Sequence, residues 1–303
     1  MKVVSSVTLA LCVLPGAYGF APNGNAASGT ALFSSASPVA GPGFGKPVPE
    51  EGFPVAGGLS VAGDGPTPAA NGALDRFAQK YDAMPTTKVQ GGSLRTWSFP
   101  TMTMGRVNLA LTTEGPPEGN PLNVDVQFNE GPDNTPQRMR IYSGKGRLRP
   151  YKMWIETPSD TAAVFIRNLA PLEFPCLAKV GTEPEDVPPM ENQNEMTDAI
   201  FEMSKPTVIQ GAGALRSYAL APDVNSVKVS LTTDGRPLNA MVELVQGPNA
   251  PKYTIEIYTE DGMLRPFNAV LETPEPGNEL RIVNTASMEF PLTASVGRSS
   301  EWP

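Results

Sequence analysis

Residues 121–181 align with residues 237–297 at a constant offset of 116 and without a gap, with 24 identities in 61 positions. Self-similarity of this length binds the two segments to one local structure, so any fold for the first must serve the second. The shared blocks are Pro121-Leu122-Asn123 with Pro237-Leu238-Asn239, Gly131-Pro132 with Gly247-Pro248, and Ile141-Tyr142 with Ile257-Tyr258. Leu148-Arg149-Pro150 matches Leu264-Arg265-Pro266, Glu156-Thr157-Pro158 matches Glu272-Thr273-Pro274, and Glu173-Phe174-Pro175 matches Glu289-Phe290-Pro291. With small shifts the match runs upstream, through Leu111-Thr112-Thr113 and Leu231-Thr232-Thr233, to Gln90-Gly91 and Gln210-Gly211.

Within each copy the apolar residues alternate with period 2. Val107, Leu109 and Leu111 do so, as do Val227, Val229 and Leu231, and Ile255 and Ile257. That spacing reads as half-buried strands, and 33 Pro with 29 Gly in 303 residues leave little room for long helices. Six or seven strands per copy are expected, making an all-β fold of tandem duplicated β-sandwich-like domains. A short helix precedes each, over residues 74–84 and 196–205, closed by Pro85 and Pro206. The expected organisation is repeat 1 at 73–181, an acidic linker at 182–194, repeat 2 at 195–297 and a tail at 298–303. Each repeat is long enough for its own core.

Upstream of the repeats the chain has a different character. Lys2, an apolar run over 3–14 and the small-residue site Ala17-Tyr18-Gly19 describe a signal peptide at 1–19. Residues 20–72 are rich in Gly, Ala, Ser and Pro with few charges, a composition expected to be disordered as a transit peptide and linker. No later apolar run approaches the ~18–20 residues of a membrane span. Cys12 lies in the signal, which leaves Cys176 as a lone thiol, expected as a small core hydrophobe on a strand.

Composition removes much chemistry. Without a single His the chain has no Ser-His-Asp or Cys-His nucleophile and lacks the commonest base near neutral pH. Its net charge of -8 supplies no basic footprint for nucleic acid. Gly41-Pro42-Gly43-Phe44-Gly45-Lys46 fails as a phosphate loop, since Ala40 and Pro47 stand where Gly and Ser or Thr are required. Asp and Glu lack calcium-loop spacing, so neither cofactor nor metal is expected. Glu156, Glu173, Glu272 and Glu289 have two readings: an acid/base pair in each copy, or strand-end carboxylates tied to Arg149. The structural reading is favoured, because no sugar-stacking aromatic cluster accompanies them.

Charge separates the copies. Residues 73–181 carry 13 basic and 10 acidic side chains, residues 195–297 carry 7 and 13, and the linker adds four acids. Arg138, Arg140 and Arg147 of the first copy contrast with Glu256, Glu260 and Asp261 at or near the matching positions of the second. Like domains of opposite charge can meet head to tail in an open array, and these six residues are the candidate assembly surface. Trp302 and Pro303, beyond the second copy, form a candidate anchor in a neighbouring subunit.

The junction Ala17-Tyr18-Gly19-Phe20-Ala21-Pro22 resembles the bipartite plastid presequence of diatoms. Joined to a unit that holds Gly-Pro, Leu-Arg-Pro, Glu-Thr-Pro and Glu-Phe-Pro in both copies, it resembles the diatom pyrenoid shell proteins over residues 73–303. The resemblance implies a non-enzymatic protein of the plastid stroma at the pyrenoid periphery. Such a protein self-assembles into a sheet or tube around the Rubisco matrix, with paralogues as further partners, and supports CO2 concentration. A plastid binding module or photosystem-associated accessory subunit is the alternative.

Overall fold

The computed structural model describes residues 80–99, 105–131, 134–157, 161–182, 200–247 and 251–299. The expected signal and transit segments, most of the acidic linker, Trp302 and Pro303 lie outside them. The first half supplies β1 (Thr86–Val89), β2 (Leu94–Phe99), β3 (Arg106–Thr113), β4 (Leu122–Asn129), β5 (Gln137–Ser143), β6 (Tyr151–Glu156), β7 (Ala162–Asn168) and β8 (Cys176–Thr182). The second supplies β9 (Phe201–Met203), β10 (Thr207–Ile209), β11 (Ala214–Ala219), β12 (Ser226–Thr232), β13 (Leu238–Gln246), β14 (Pro251–Thr259), β15 (Phe267–Glu272), β16 (Asn278–Asn284) and β17 (Leu292–Ser299). Among the described residues the chain is all-β, with eight and nine strands in the halves rather than six or seven.

All strand pairs are antiparallel and fall in two sheets, each of which passes through both halves. Sheet I runs β1-β8-β3-β6-β15-β12-β17-β10, with β9 also on β17, and sheet II runs β11-β16-β13-β14-β5-β4-β7-β2. Both orders read as palindromes once β1–β8 are matched with their counterparts in the second half. The register is equally symmetric. In sheet II, Arg140 lies opposite Glu256, 116 positions on, flanked by Ile141 opposite Ile255 and Met139 opposite Ile257. In sheet I, Met153 lies opposite Ala269, again 116 apart. An approximate two-fold axis therefore passes through both sheets at the β5–β14 and β6–β15 seams.

Period-2 alternation buries one face of each strand. Along β5, Gln137, Met139, Ile141 and Ser143 point inward while Arg138, Arg140 and Tyr142 point out. One apolar cluster fills the space between the sheets and draws on both halves, from Val107, Leu109 and Ile141 to Val229, Ile255 and Leu271. A slab with one core follows, since the seams are ordinary ladders and the same apolar cluster runs through both halves.

A second apolar cluster lies on the outer face of sheet I, where Tyr81, Met84, Ile200 and Phe201 cover Trp154 and Val270. Residues 80–82 are helical and the turn ends ahead of Pro85, as expected. The helix expected over 196–205 is corrected in part: Ile200 is helical and residues 196–199 lie outside the described residues, but Phe201–Met203 is strand β9, paired with Gly297, Arg298 and Ser299 of β17. β10 covers only Leu292–Ala294 of β17, so the rest of that edge is open to a ladder, and its backbone bonds outweigh local helix propensity. β17 itself runs to Ser299, two residues past the expected end of the second repeat.

Candidate functional site

The outer face of sheet II gathers the charged residues at the two-fold axis. β5 presents Arg138 and Arg140, β14 presents Glu256 and Tyr258, and the flanking strands add Asp125 from β4 and Met241 from β13. Asp125 is almost wholly buried, and Arg138 forks onto it, Nε to Oδ1 at 3.2 Å and Nη2 to Oδ2 at 3.0 Å. Gln127 Nε2 donates to the same carboxylate at 3.2 Å. The hydrogen bond to Asp125 and its charge hold the Arg138 guanidinium above its ordinary pKa. Arg140 and Glu256 stand exposed at the centre. Asp125, Arg138, Arg140, Met241, Glu256 and Tyr258 line a shallow groove of about 510 Å³.

Three of the expected assembly residues, Arg138, Arg140 and Glu256, thus share one groove. Arg147 is exposed in the loop after β5. Glu260 follows β14, where its backbone N–H donates to Pro136 O at 2.8 Å and ties the halves. Asp261 serves its own turn, its Oδ1 accepting from the N–H groups of Met263 and Leu264 at 2.8 and 3.0 Å. Sequence reasoning passed over Asp125, Met241 and Tyr258. Period-2 spacing from Arg138 marks β5's outward face, but only pairing brings β4 and β13 beside it.

The carboxylates expected on Arg149 bind elsewhere. Glu156 takes Arg106 at 2.7 Å, Glu272 takes Lys152 across the seam at 2.8 Å, and Glu173 and Glu289 are exposed on loops. Arg149, with 1% of its side chain exposed, reaches across to Glu275 of the second half at 2.9 Å. Its counterpart Arg265 reaches back to Glu130 of the first half. Each Leu-Arg-Pro block therefore ties one half to the other. The strand-end reading of Glu156 and Glu272 holds, with different partners, because β6 pairs with β3 on one side and β15 on the other: β3 brings Arg106 to Glu156, and β6 brings Lys152 to Glu272. Among the described residues no group of three or more Cys, Asp or Glu is placed to hold a metal, and no helix is long and apolar enough to cross a membrane.

Several solved structures are similar to this chain at low identity. The tandem CBM22 domains of Paenibacillus barcinonensis Xyn10C share 10% identity over 74% of this chain and 96% of theirs, with a TM-score of 0.22. The PBSX exported protein XepA shares 9% over 72% and 85%, also at 0.22. Tomato vicilin (Solanum lycopersicum) shares 8% over 71% and 74%, at 0.21. At such scores they carry no argument. No curated protein sequence matches the chain. The family model described as "Diatom pyrenoid shell protein" matches residues 80–298, nearly the whole two-sheet slab. The chain belongs to the diatom pyrenoid shell protein family.

Proposed function

We propose that this protein is a non-enzymatic building block that self-assembles into a lattice, as a sheet or tube, around the Rubisco matrix of the plastid pyrenoid. The lattice supports CO2 concentration and fixation there. Family membership supports a shell role. The observation that carries the assembly reading is the likeness of the slab's two ends. β1 and β2, joined by a tight turn, edge the two sheets on one side, and β10 and β11 edge them on the other. A protomer with like edges on opposite sides can repeat one kind of contact in both directions, and such contacts extend an array without closing it. Exposed apolar side chains recur at matching sites near those edges, Leu94 with Leu215 and Leu172 with Met288. The tandem duplication is the simplest origin of this symmetry, and residues 1–19 act as a signal peptide and residues 20–72 as transit peptide and linker, delivering the mature chain to the stroma.

Negative-stain imaging of residues 73–303 at micromolar concentration tests the reading. Extended sheets or tubes are expected. A discrete monomer or dimer that copurifies with a thylakoid complex would instead identify an accessory subunit.

A further inference from the structure

The two outer faces of the slab differ. Sheet I carries its own cover, with Tyr81, Met84, Ile200 and Phe201 packed on Trp154 and Val270. Among the described residues sheet II has none. Its bare face shows Leu94, Tyr142, Leu215 and Tyr258, all at least 40% exposed, and these are four of the largest exposed apolar side chains. Successive registers join one residue per strand into a single row across all eight strands: Leu94, Arg167, Asp125, Arg140, Glu256, Met241, Val283, Leu215. Leucines end the row, and at its centre, on the two-fold axis, an Arg stands beside a Glu.

We propose that this face is a docking surface for a second copy of the chain, seated sheet on sheet about a two-fold axis parallel to the strands. That rotation reverses the row. Arg140 then faces the partner's Glu256, Glu256 faces the partner's Arg140, and Leu94 faces the partner's Leu215 at both ends. The face is complementary to itself, as an isologous contact requires. A rotation about the axis across the strands would set Arg140 on the partner's Arg140, so charge selects the first arrangement. Eight strands about 4.8 Å apart and about six residues long offer up to about 800 Å², which matches the surface a partner contributes to a standard interface. The proposal takes the occupant from the assembly reading and adds the surface and the residues that fix its orientation.

Arg140→Glu and Glu256→Arg, each in residues 73–303, set like charges against each other in the homodimer. Each is expected to weaken self-association at least ten-fold in sedimentation velocity, with the fold retained in far-UV circular dichroism because both sites are exposed. In an equimolar mixture of the two variants, the carboxylate introduced in one chain meets the guanidinium introduced in the other, and association should be restored. The double variant R140E/E256R within one chain should restore it too. Restoration in the mixture cannot arise from a contact within the protomer. Single variants that associate like the parent, or a mixture that stays dissociated, would overturn the proposal. If wild-type sheets form and the single variants form them equally, this surface is wrong while the assembly reading stands. If association follows the charges and no sheets form, the surface stands and the lattice reading falls.

Discussion

Gly91 and Gly211 show how a shared residue becomes a structural requirement. A Cβ on Gly91 would lie 1.9 Å from Pro171 O, and one on Gly211 would lie 1.8 Å from Ser287 O, both immovable backbone atoms. One buried side-chain amide completes each corner. Asn168 Nδ2 donates to Val89 O and Phe174 O at 3.0 and 2.9 Å, and Asn284 Nδ2 repeats this with Ile209 O and Phe290 O at the same distances. Gly91→Ala and Gly211→Ala should each destabilise by about 1–3 kcal/mol through overpacking. Gly105→Ala, with nothing within 4 Å, should stay within about 0.5 kcal/mol, and urea midpoints would check all three. Cys176, 1% exposed, behaves as the core hydrophobe that its lone status suggested. Burial pushes its thiol up to about 12, so the folded protein should resist thiol reagents at about pH 8 and react on unfolding, as read by site-resolved mass spectrometry.

At the scale of elements, the halves are held by ladders and by two crossed arginines. Burial pushes the Glu275 carboxyl up, but a hydrogen bond from Gln246 and the charges of Lys145 and Arg149 outweigh it and hold the group below 4.5. A carboxyl lowered by folding stabilises above its unfolded pKa, and that contribution is lost as pH falls through the folded value. Acidification below about pH 4.5 should therefore loosen the parent more than Glu275→Gln, whose amide does not titrate, in urea melts from about pH 6 to about pH 3. At neutral pH Glu275→Gln should cost about 1–2 kcal/mol, toward the low end for a buried charge left without its partner because Glu275 is 43% exposed. Arg149→Met should cost less, since it removes the charge together with the need to compensate it.

Over the whole molecule, fused sheets make one folding unit of what the sequence divides in two. A single unfolding transition is expected for residues 73–303 in denaturant, with fluorescence and circular dichroism coincident; two resolved transitions would contradict a common core. The first half's excess of positive charge and the second half's excess of negative charge bear on assembly. If neighbours meet through these signs, sheets should thin out or disappear between about 0.05 and about 0.5 M salt as the Debye length shortens, in turbidity and imaging. The candidate anchor at Trp302 is best tested by deleting residues 300–303. Deletion from 298 would cut into β17, where Arg298 bonds Glu202 at 2.9 Å. Loss of sheets at an unchanged thermal midpoint is the expected result.

Much of the fold was legible because it is local. Alternation at Val107, Leu109 and Leu111 names a strand and its buried face, and the 116-residue offset says that the second half repeats the first. The helix expected over residues 201–203 gives way to a strand whose cause is the open edge of β17, 94 to 98 positions further along the chain. Of the candidate surface, the outward arginines could be found by spacing alone, whereas Asp125 and Met241 could not. By itself the sequence determined the class of structure, the likeness of its two segments and the absence of histidine chemistry, since period, identity and residue type are properties of the chain read in order. Only the tertiary structure decided that the two halves fuse edge to edge around one core, that Arg149 and Arg265 cross between them, and that one face carries no cover among the described residues. Those outcomes depend on which strand edges and charges meet in space, and a linear pattern does not encode its own partners.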